Sequence, residues 1–188
     1  MPLETNYALA EYHDNEAKFP APAIPVMGNA IAIPASSANV VEDSDTSTAF
    51  HQLVDAWTTQ SNGELQISCV EGSVLDALAA LNMQEARLSL LTSAEALAWL
   101  AWAGASGGAH GRRRGNALGR DAAWWAVASL TGQTSHWPLS NNAFETAANS
   151  LQWFWWDANE PTTGWNVQLC VHHAEHNRSW VFALTDLA

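Results

Sequence analysis

The last forty residues constrain the fold most strongly, because they hold three β-type segments separated by turns. Residues 151–156, 165–172 and 180–185 alternate in polarity or are rich in residue types that favour strands. Residues 160–164, with the sequence EPTTG, and the polar residues 173–178 are typical of turns. Successive strands joined by short turns pair with each other, so this region predicts an antiparallel meander.

The residues upstream of this meander predict a mixture of helices and strands. Phe50, Leu53 and Trp57 lie on one face of a predicted helix over residues 46–60. A strand over 65–70, a short helix after Ser73 and a strand over 87–91 favour a right-handed parallel crossover. A capping-box pattern at residues 92–95 opens a tryptophan-rich helix, and further helices are predicted over 117–130 and 142–150.

These elements predict an α+β fold: a mixed sheet that includes the C-terminal antiparallel meander, packed against the tryptophan-rich helices of residues 93–150. The 188 residues fit one domain, which we place at 46–188. Residues 1–45 hold five of the seven prolines and are predicted to form a proline- and alanine-rich arm. Within this arm we expect a short helix near residues 7–16 and an edge strand near residues 30–33.

The charge of the chain limits its partners. The formal net charge is −12, which argues against nucleic acid or an anionic membrane as a partner and favours a basic protein. Two cysteines are too few for a disulfide framework, and no segment is both apolar and long enough to span a bilayer. We therefore expect a cytoplasmic protein. The oligomeric state stays open, and no motif predicts a cofactor.

The positive charge is concentrated in one glycine-arginine segment. Four of the seven basic residues lie within residues 106–120, which hold no acidic residue. As a helix, this segment would present glycines every four residues and let another backbone approach closely, with its arginines paired to nearby carboxylates. As a loop, it would present backbone N–H groups and arginine side chains to an anion. Both conformations fit the sequence.

The loop interpretation predicts a site for a small anionic or aromatic ligand. Its candidate residues combine backbone donors, guanidinium groups and one indole ring: Ser106, Gly107, Gly108, His110, Arg112, Arg113, Arg114, Arg120 and Trp124. Arginine suits carboxylate and phosphate because its planar guanidinium donates two parallel hydrogen bonds.

Three other groups of residues have a structural and a functional interpretation. The histidines and glutamate at 172–176 resemble metal ligands, but we favour a solvated hairpin tip and predict no metal site, because adjacent histidines on a strand face opposite ways. Cys170 is interpreted as a half-buried structural cysteine. The tryptophans near 153–156 have two interpretations. Either their strand is central and both of its faces are buried in the core, or one of its faces binds a ligand.

Three functions remain in order of preference. The first is a non-enzymatic domain that binds the small ligand at the glycine-arginine segment. The second is an acidic protein-interaction or inhibitor module. The third is a hydrolase-like enzyme that uses His110, with the arginines stabilising an oxyanion. No motif identifies a catalytic set, so whether the protein is an enzyme stays open.

One resemblance adds to this interpretation. The run from Glu95 to Gly115, EALAWLAWAGASGGAHGRRRG, and the following GRDAAWW at 119–125 resemble an uncharacterised protein family of high-GC bacteria. The tail residues WFWWD at 153–157 and GW at 164–165 are similar to the same family. The resemblance covers roughly residues 65–188. It implies a common domain and no particular activity or catalytic residue.

Overall fold

The computed structural model of the chain describes residues 11–13, 16–18, 20–160 and 164–187. The α-helices within these residues are α1 (Ser44–Leu53), α2 (Asp55–Gln60), α3 (Val74–Ala80), α4 (Ser93–Ser106), α5 (Asn116–Leu130) and α6 (Asn141–Asn149). The strands are β1 (Glu11–His13), β2 (Glu16–Lys18), β3 (Ile31–Ala32), β4 (Gly63–Glu71), β5 (Glu85–Leu91), β6 (Leu151–Asp157), β7 (Trp165–His173) and β8 (Arg178–Asp186). This combination confirms the α+β class.

Six strands form one sheet in the order β3-β5-β6-β7-β8-β4, and each described pairing in it is antiparallel. The successive strands β6, β7 and β8 are neighbours, which confirms the predicted C-terminal meander. The meander occupies the middle of the sheet. It therefore provides the frame against which the helices are placed.

The predicted mixed sheet and its parallel crossover are wrong. β4 and β5 run in the same direction but have three strands between them, because β4 pairs with β8 and β5 pairs with β6. The helix between them, α3, crosses the face of the sheet and contacts β4, β7 and β8. The physical reason is that the hairpin-linked meander fills the positions between the two strands.

The sheet is covered on both faces. On one face, α1, α2, α4, α5 and α6 enclose the larger core, which contains Trp153 and Trp155 of β6. On the other face, α3 covers a smaller core that contains Trp156 and packs against Phe154. The aromatic residues on both faces of β6 are thus explained by a central strand covered twice.

Local capping interactions start two of these helices where the sequence predicts. The side chain of Thr92 accepts a hydrogen bond from the Glu95 amide, and the Glu95 carboxylate accepts one from the Thr92 amide, at the start of α4. Ser73 and Asp76 form the same capping box at the start of α3. Each pair satisfies N–H groups that a helix N-terminus leaves without partners.

Part of the N-terminal arm lies on the sheet. β3 pairs with β5 and confirms the predicted edge strand, while Ile33 is buried in the core beside α3. The predicted helix near residues 7–16 is wrong where the chain is described, because β1 and β2 pair as an antiparallel hairpin. Residues 7–10, 14 and 15 lie outside the described residues, and the domain boundary at residue 45 stays a prediction. None of the described helices has the length and apolar character that crossing a membrane requires.

Candidate functional site

The glycine-arginine segment is a loop between two helices. α4 ends at Ser106, and Gly107 and Gly108 follow with φ angles of 75° and 71°. Gly115, with a φ of 84°, precedes the first residue of α5. Glycine adopts these left-handed angles without the steric penalty of a Cβ atom. The loop conformation is therefore confirmed, and the continuous helix with a glycine stripe is wrong.

Gly104 of α4 and Gly119 of α5 nevertheless allow these two helices to cross closely. A Cβ atom on Gly119 would clash with the carbonyl of Ala101 and lie 2.6 Å from Cβ of Ala105. A Cβ atom on Gly104 would lie 3.1 Å from Cα of Gly119. The two helix backbones touch here because neither glycine has a side chain.

Several backbone N–H groups of the loop donate hydrogen bonds to side chains of the protein itself. The Ala109 amide donates to Oδ2 of the fully buried Asp186, at 2.8 Å, and the Arg112 amide donates to Oε1 of Gln60, at 3.1 Å. These side chains occupy the positions that an anion would take in an open nest of N–H groups. They hold the loop against β8 and the end of α2.

Arg113 closes the C-terminal end of α4. Its guanidinium donates from Nη1 to the carbonyl oxygens of Ser106 and Gly108, and its Cζ lies 4.8 Å from the centroid of the Trp165 ring. Carbonyls at a helix C-terminus carry partial negative charge and lack partners within the helix. Burial lowers the pKa of Arg113. This arginine therefore stabilises the turn from within.

Arg114 makes the equivalent contact at the end of α1. Its Nη1 lies 3.0 Å from the carbonyl oxygen of Gln52 and 3.4 Å from that of Leu53. These carbonyls belong to the last turn of α1, where a cation is favourable. Arg114 thus connects the loop before α5 to the C-terminus of α1, and it is partly exposed.

The remaining residues predicted for the ligand site do not lie together at the end of α4. Arg120 lies on α5 with its Cζ 5.2 Å from the centroid of the Trp124 ring, which packs in turn against Phe144. Arg112 and His110 are exposed on the loop. The structure brings Ser106, Gly107, Gly108 and Arg113 together, whereas Arg114 reaches from the loop to α1, and Arg120 and Trp124 lie on α5.

A groove of about 770 Å³ lies between α1 and α5, and Arg114 is part of its lining. Trp125 and Trp137 form one wall, with ring centroids 5.5 Å apart and planes at 83°. The carboxylates of Asp55 and Asp121 line the same groove. The site therefore combines two perpendicular indole rings, two anionic groups and one guanidinium.

Sequence reasoning missed four of these lining residues. Asp121 and Trp125 are four positions apart in a helix that was correctly predicted, so they share a face of α5. That spacing is the signal that would have identified this part of the groove. Trp137 follows a short turn after α5, and Asp55 starts α2, so their positions depend on the tertiary fold.

Among the smaller cavities, two have distinctive linings. One, of about 310 Å³, is lined by Ala21, Pro22 and Ile24 of the arm and by a stacked pair, Trp102 and Trp165, with ring centroids 5.3 Å apart. The other, of about 550 Å³, contains His173, Glu175 and His176 at the turn between β7 and β8. The potential ligand atoms of these three residues lie within 4.8 Å of one another. They are the one such group among the described residues.

Both cysteines are buried and unpaired. Burial raises the pKa of the Cys69 thiol to about 12, and burial also raises the pKa of Cys170 well above its usual value. A thiol of this kind is a poor nucleophile because its thiolate form is scarce. The structural interpretation of Cys170 therefore fits its apolar surroundings, but the prediction that it is half-buried is wrong because the residue is fully buried between the sheet and α3.

Comparison with known proteins places the chain in a family. No curated protein and no solved structure matches it. The predicted resemblance to an uncharacterised family is confirmed, and it extends beyond residues 65–188 to the N-terminal arm. The sequence model of the family of unknown function DUF6183 matches residues 1–188, and the chain therefore belongs to that family.

Proposed function

We infer that the protein is a non-enzymatic domain that binds a small aromatic ligand in the groove between α1 and α5. The observation that carries this proposal is the perpendicular pair of Trp125 and Trp137 in the lining of a groove of about 770 Å³. Ligand sites commonly enclose ~300–1,000 Å³ and combine aromatic walls with a few polar groups. Of the residues predicted for the ligand site, Arg114 contributes to this groove.

The charges of the lining favour a ligand that carries a positive group. Asp55 and Asp121 are two carboxylates, and Arg114 is the one arginine among the lining residues. Arg114 already donates to the carbonyls at the end of α1, which lowers its capacity to bind a further anion. A purely anionic ligand would therefore be repelled, whereas an aromatic amine or a zwitterion fits.

Isothermal titration calorimetry with four small probes tests this proposal. Phenethylamine, phenylalanine, phenylacetate and inorganic phosphate separate the contribution of the ring from that of each charge. We expect phenethylamine and phenylalanine to bind and phosphate to give no heat of binding. A cation beside an indole ring contributes about 0.5–2 kcal/mol, so phenethylamine should bind at least about twofold more tightly than phenylacetate.

Variants of the groove locate the binding. Trp125→Leu should abolish binding of phenethylamine because it removes one aromatic wall, and Asp121→Asn should weaken phenethylamine more than phenylacetate. Arg112→Ala is the matched control, since Arg112 is an exposed arginine of the same segment outside the groove lining. The proposal is refuted if no probe binds at millimolar concentration, or if binding is unchanged in Trp125→Leu.

The finer expectations from the sequence remain proposals. We retain a cytoplasmic, bacterial protein, supported by its two unpaired cysteines and its resemblance to the family. A basic protein partner is supported by the net charge of −12. His110 lies outside the groove lining, and no contact favours the hydrolase hypothesis over the binding domain.

A further inference from the structure

The turn between β7 and β8 carries two histidines and one glutamate within four residues. β7 ends at His173, and a short helical turn, Ala174–His176, carries Glu175 and His176. Asn177 then adopts a left-handed conformation, with a φ of 47°, and returns the chain into β8. The positions of the three side chains are therefore set by one tight turn at the end of two long paired strands.

The imidazole of His173 is buried, and its hydrogen bonds assign its tautomer. The residue is 3% exposed, and its Nε2 lies 3.3 Å from Oγ of Ser150. That hydroxyl donates its own proton to the carbonyl oxygen of Ala147, at 2.8 Å, so it accepts from Nε2–H. The Nδ1 atom of His173 consequently carries the lone pair.

The lone pair of His173 faces the turn. Its Nδ1 accepts a hydrogen bond from the His176 amide at 3.3 Å, which is long for a bond of this type. The rings of His173 and His176 are stacked, with centroids 4.3 Å apart and planes at 22°. An acceptor nitrogen, a second imidazole and a carboxylate thus converge on one side of the turn.

We propose that His173, Glu175 and His176 bind a divalent transition-metal ion of the zinc class. Their potential ligand atoms lie within 4.8 Å of one another, and two imidazoles with one carboxylate form a ligand set that zinc accepts. Bonds of about 2.0–2.2 Å place tetrahedral ligand atoms about 3.4 Å apart. Glu175 and His176 are both exposed on the turn, so rotation of their side chains and a shift of the His176 amide away from Nδ1 bring the ligand atoms together while the strands stay in place.

The surroundings of His173 match those of a metal ligand. A histidine that binds a metal through one nitrogen usually donates its other N–H to a fixed acceptor, and Ser150 is that acceptor here. The metal replaces one long hydrogen bond at Nδ1, the bond from the His176 amide. Ser150 is held by Ala147, so the ring orientation is fixed before the ion arrives.

The site also has an entry path and a favourable overall charge. The three residues line an open cavity of about 550 Å³ whose other walls include Gln133, Asn142 and Thr146. Three protein ligands leave at least one coordination position open to this cavity. The net charge of −12 on the chain attracts cations at long range.

Titration of the full-length protein without an affinity tag tests the proposal. We expect ZnCl₂ to bind with a stoichiometry of one ion per chain in calorimetry. Co²⁺ should give the visible absorption of a tetrahedral site. His176→Ala and Glu175→Gln should each weaken binding at least tenfold. Ser150→Ala should weaken zinc binding about 10–100-fold, because the metal-binding His173 loses the hydrogen bond that orients its ring.

His136→Ala is the matched control, because His136 is an exposed histidine outside this cavity. Circular dichroism and thermal unfolding establish that each variant is folded, which is expected since Glu175 and His176 are exposed. Absence of saturable binding of one ion per chain would overturn the proposal. Equal weakening in His136→Ala and His176→Ala would also overturn it, since the ion would then be bound by surface histidines in general.

Discussion

Replacement of Gly119 by alanine tests whether the crossing of α4 and α5 depends on direct backbone contact. The added Cβ atom would clash with the carbonyl of Ala101 and lie 2.6 Å from Cβ and 2.8 Å from the amide nitrogen of Ala105. Carbon atoms attract each other best at about 3.5–4.0 Å, so α5 would have to move by about 1 Å. Most of the clashing atoms belong to the backbone of α4 and cannot rotate away.

Two opposing contributions determine the size of the effect. Inserting a methyl group into a filled core costs about 1–3 kcal/mol, and rigid backbone neighbours place this site at the upper end. Alanine stabilises a helix by about 1 kcal/mol relative to glycine. We therefore expect Gly119→Ala to lower the free energy of unfolding by about 2 kcal/mol. For a chain of this size, that corresponds to a decrease in Tm of about 4–8 °C.

Urea unfolding followed by tryptophan fluorescence and far-ultraviolet circular dichroism measures this difference. Ala117→Gly is the control in the same helix, since Ala117 is exposed, and it should lose up to about 1 kcal/mol from helix propensity alone. If Gly119→Ala is as stable as the wild-type protein, or more stable, the helices are not held by backbone contact and the reasoning is refuted.

Three further predictions concern other side chains. Arg113→Ala should destabilise the fold by about 1.5–3 kcal/mol in urea unfolding because it leaves carbonyls at the end of α4 without a donor, whereas the exposed Arg112→Ala should change stability by less than about 0.5 kcal/mol. Cys69, with its pKa raised to about 12 by burial, should react with a thiol reagent at neutral pH only after unfolding. Burial raises the pKa of Asp157, but the hydrogen bonds from Arg87 and the Asn159 amide, together with the charge of Arg87, outweigh it and the net pKa is lowered. The resulting stability is present above the unfolded pKa of about 3.9 and is lost as the pH falls below it. On acidification, the Tm of Asp157→Asn should therefore decrease less than the Tm of the wild-type protein.

The elements that could be predicted from the sequence are those with local signals. The capping box of Thr92 and Glu95 identified the start of α4 to the residue. The C-terminal strands were predicted to within two residues at every end, and the largest difference is at β8, which begins at Arg178 and not at Trp180. Alternation, turn residues and caps act over a few positions, so they are visible without knowledge of the fold.

The order of the strands could not be predicted in the same way. β4 pairs with β8, more than a hundred residues later in the chain, and no local pattern records that choice. A strand, a short helix and a second strand are equally compatible with neighbouring parallel strands and with two strands at opposite ends of a meander. Only the competition for positions beside β6 and β8 decides between them.

The orientation of the arginines depended on the same long-range arrangement. The sequence offered carboxylates or a ligand as partners for Arg113 and Arg114, but both guanidinium groups donate to backbone carbonyls instead. For Arg114 the acceptors are on α1, about sixty positions earlier. A helix C-terminus provides partial negative charge without an acidic residue, so a count of acidic side chains cannot reveal it.

Arg114 links the stability of the fold to the groove. It donates to the end of α1, it lies on the loop that leads into α5, and these two helices form the groove walls. Because its Nη1 donates to two carbonyls of α1, the Arg114 guanidinium is less available to other acceptors in the groove. Arg114 therefore connects the end of α1 to the loop that starts α5, the two helices that form the groove walls.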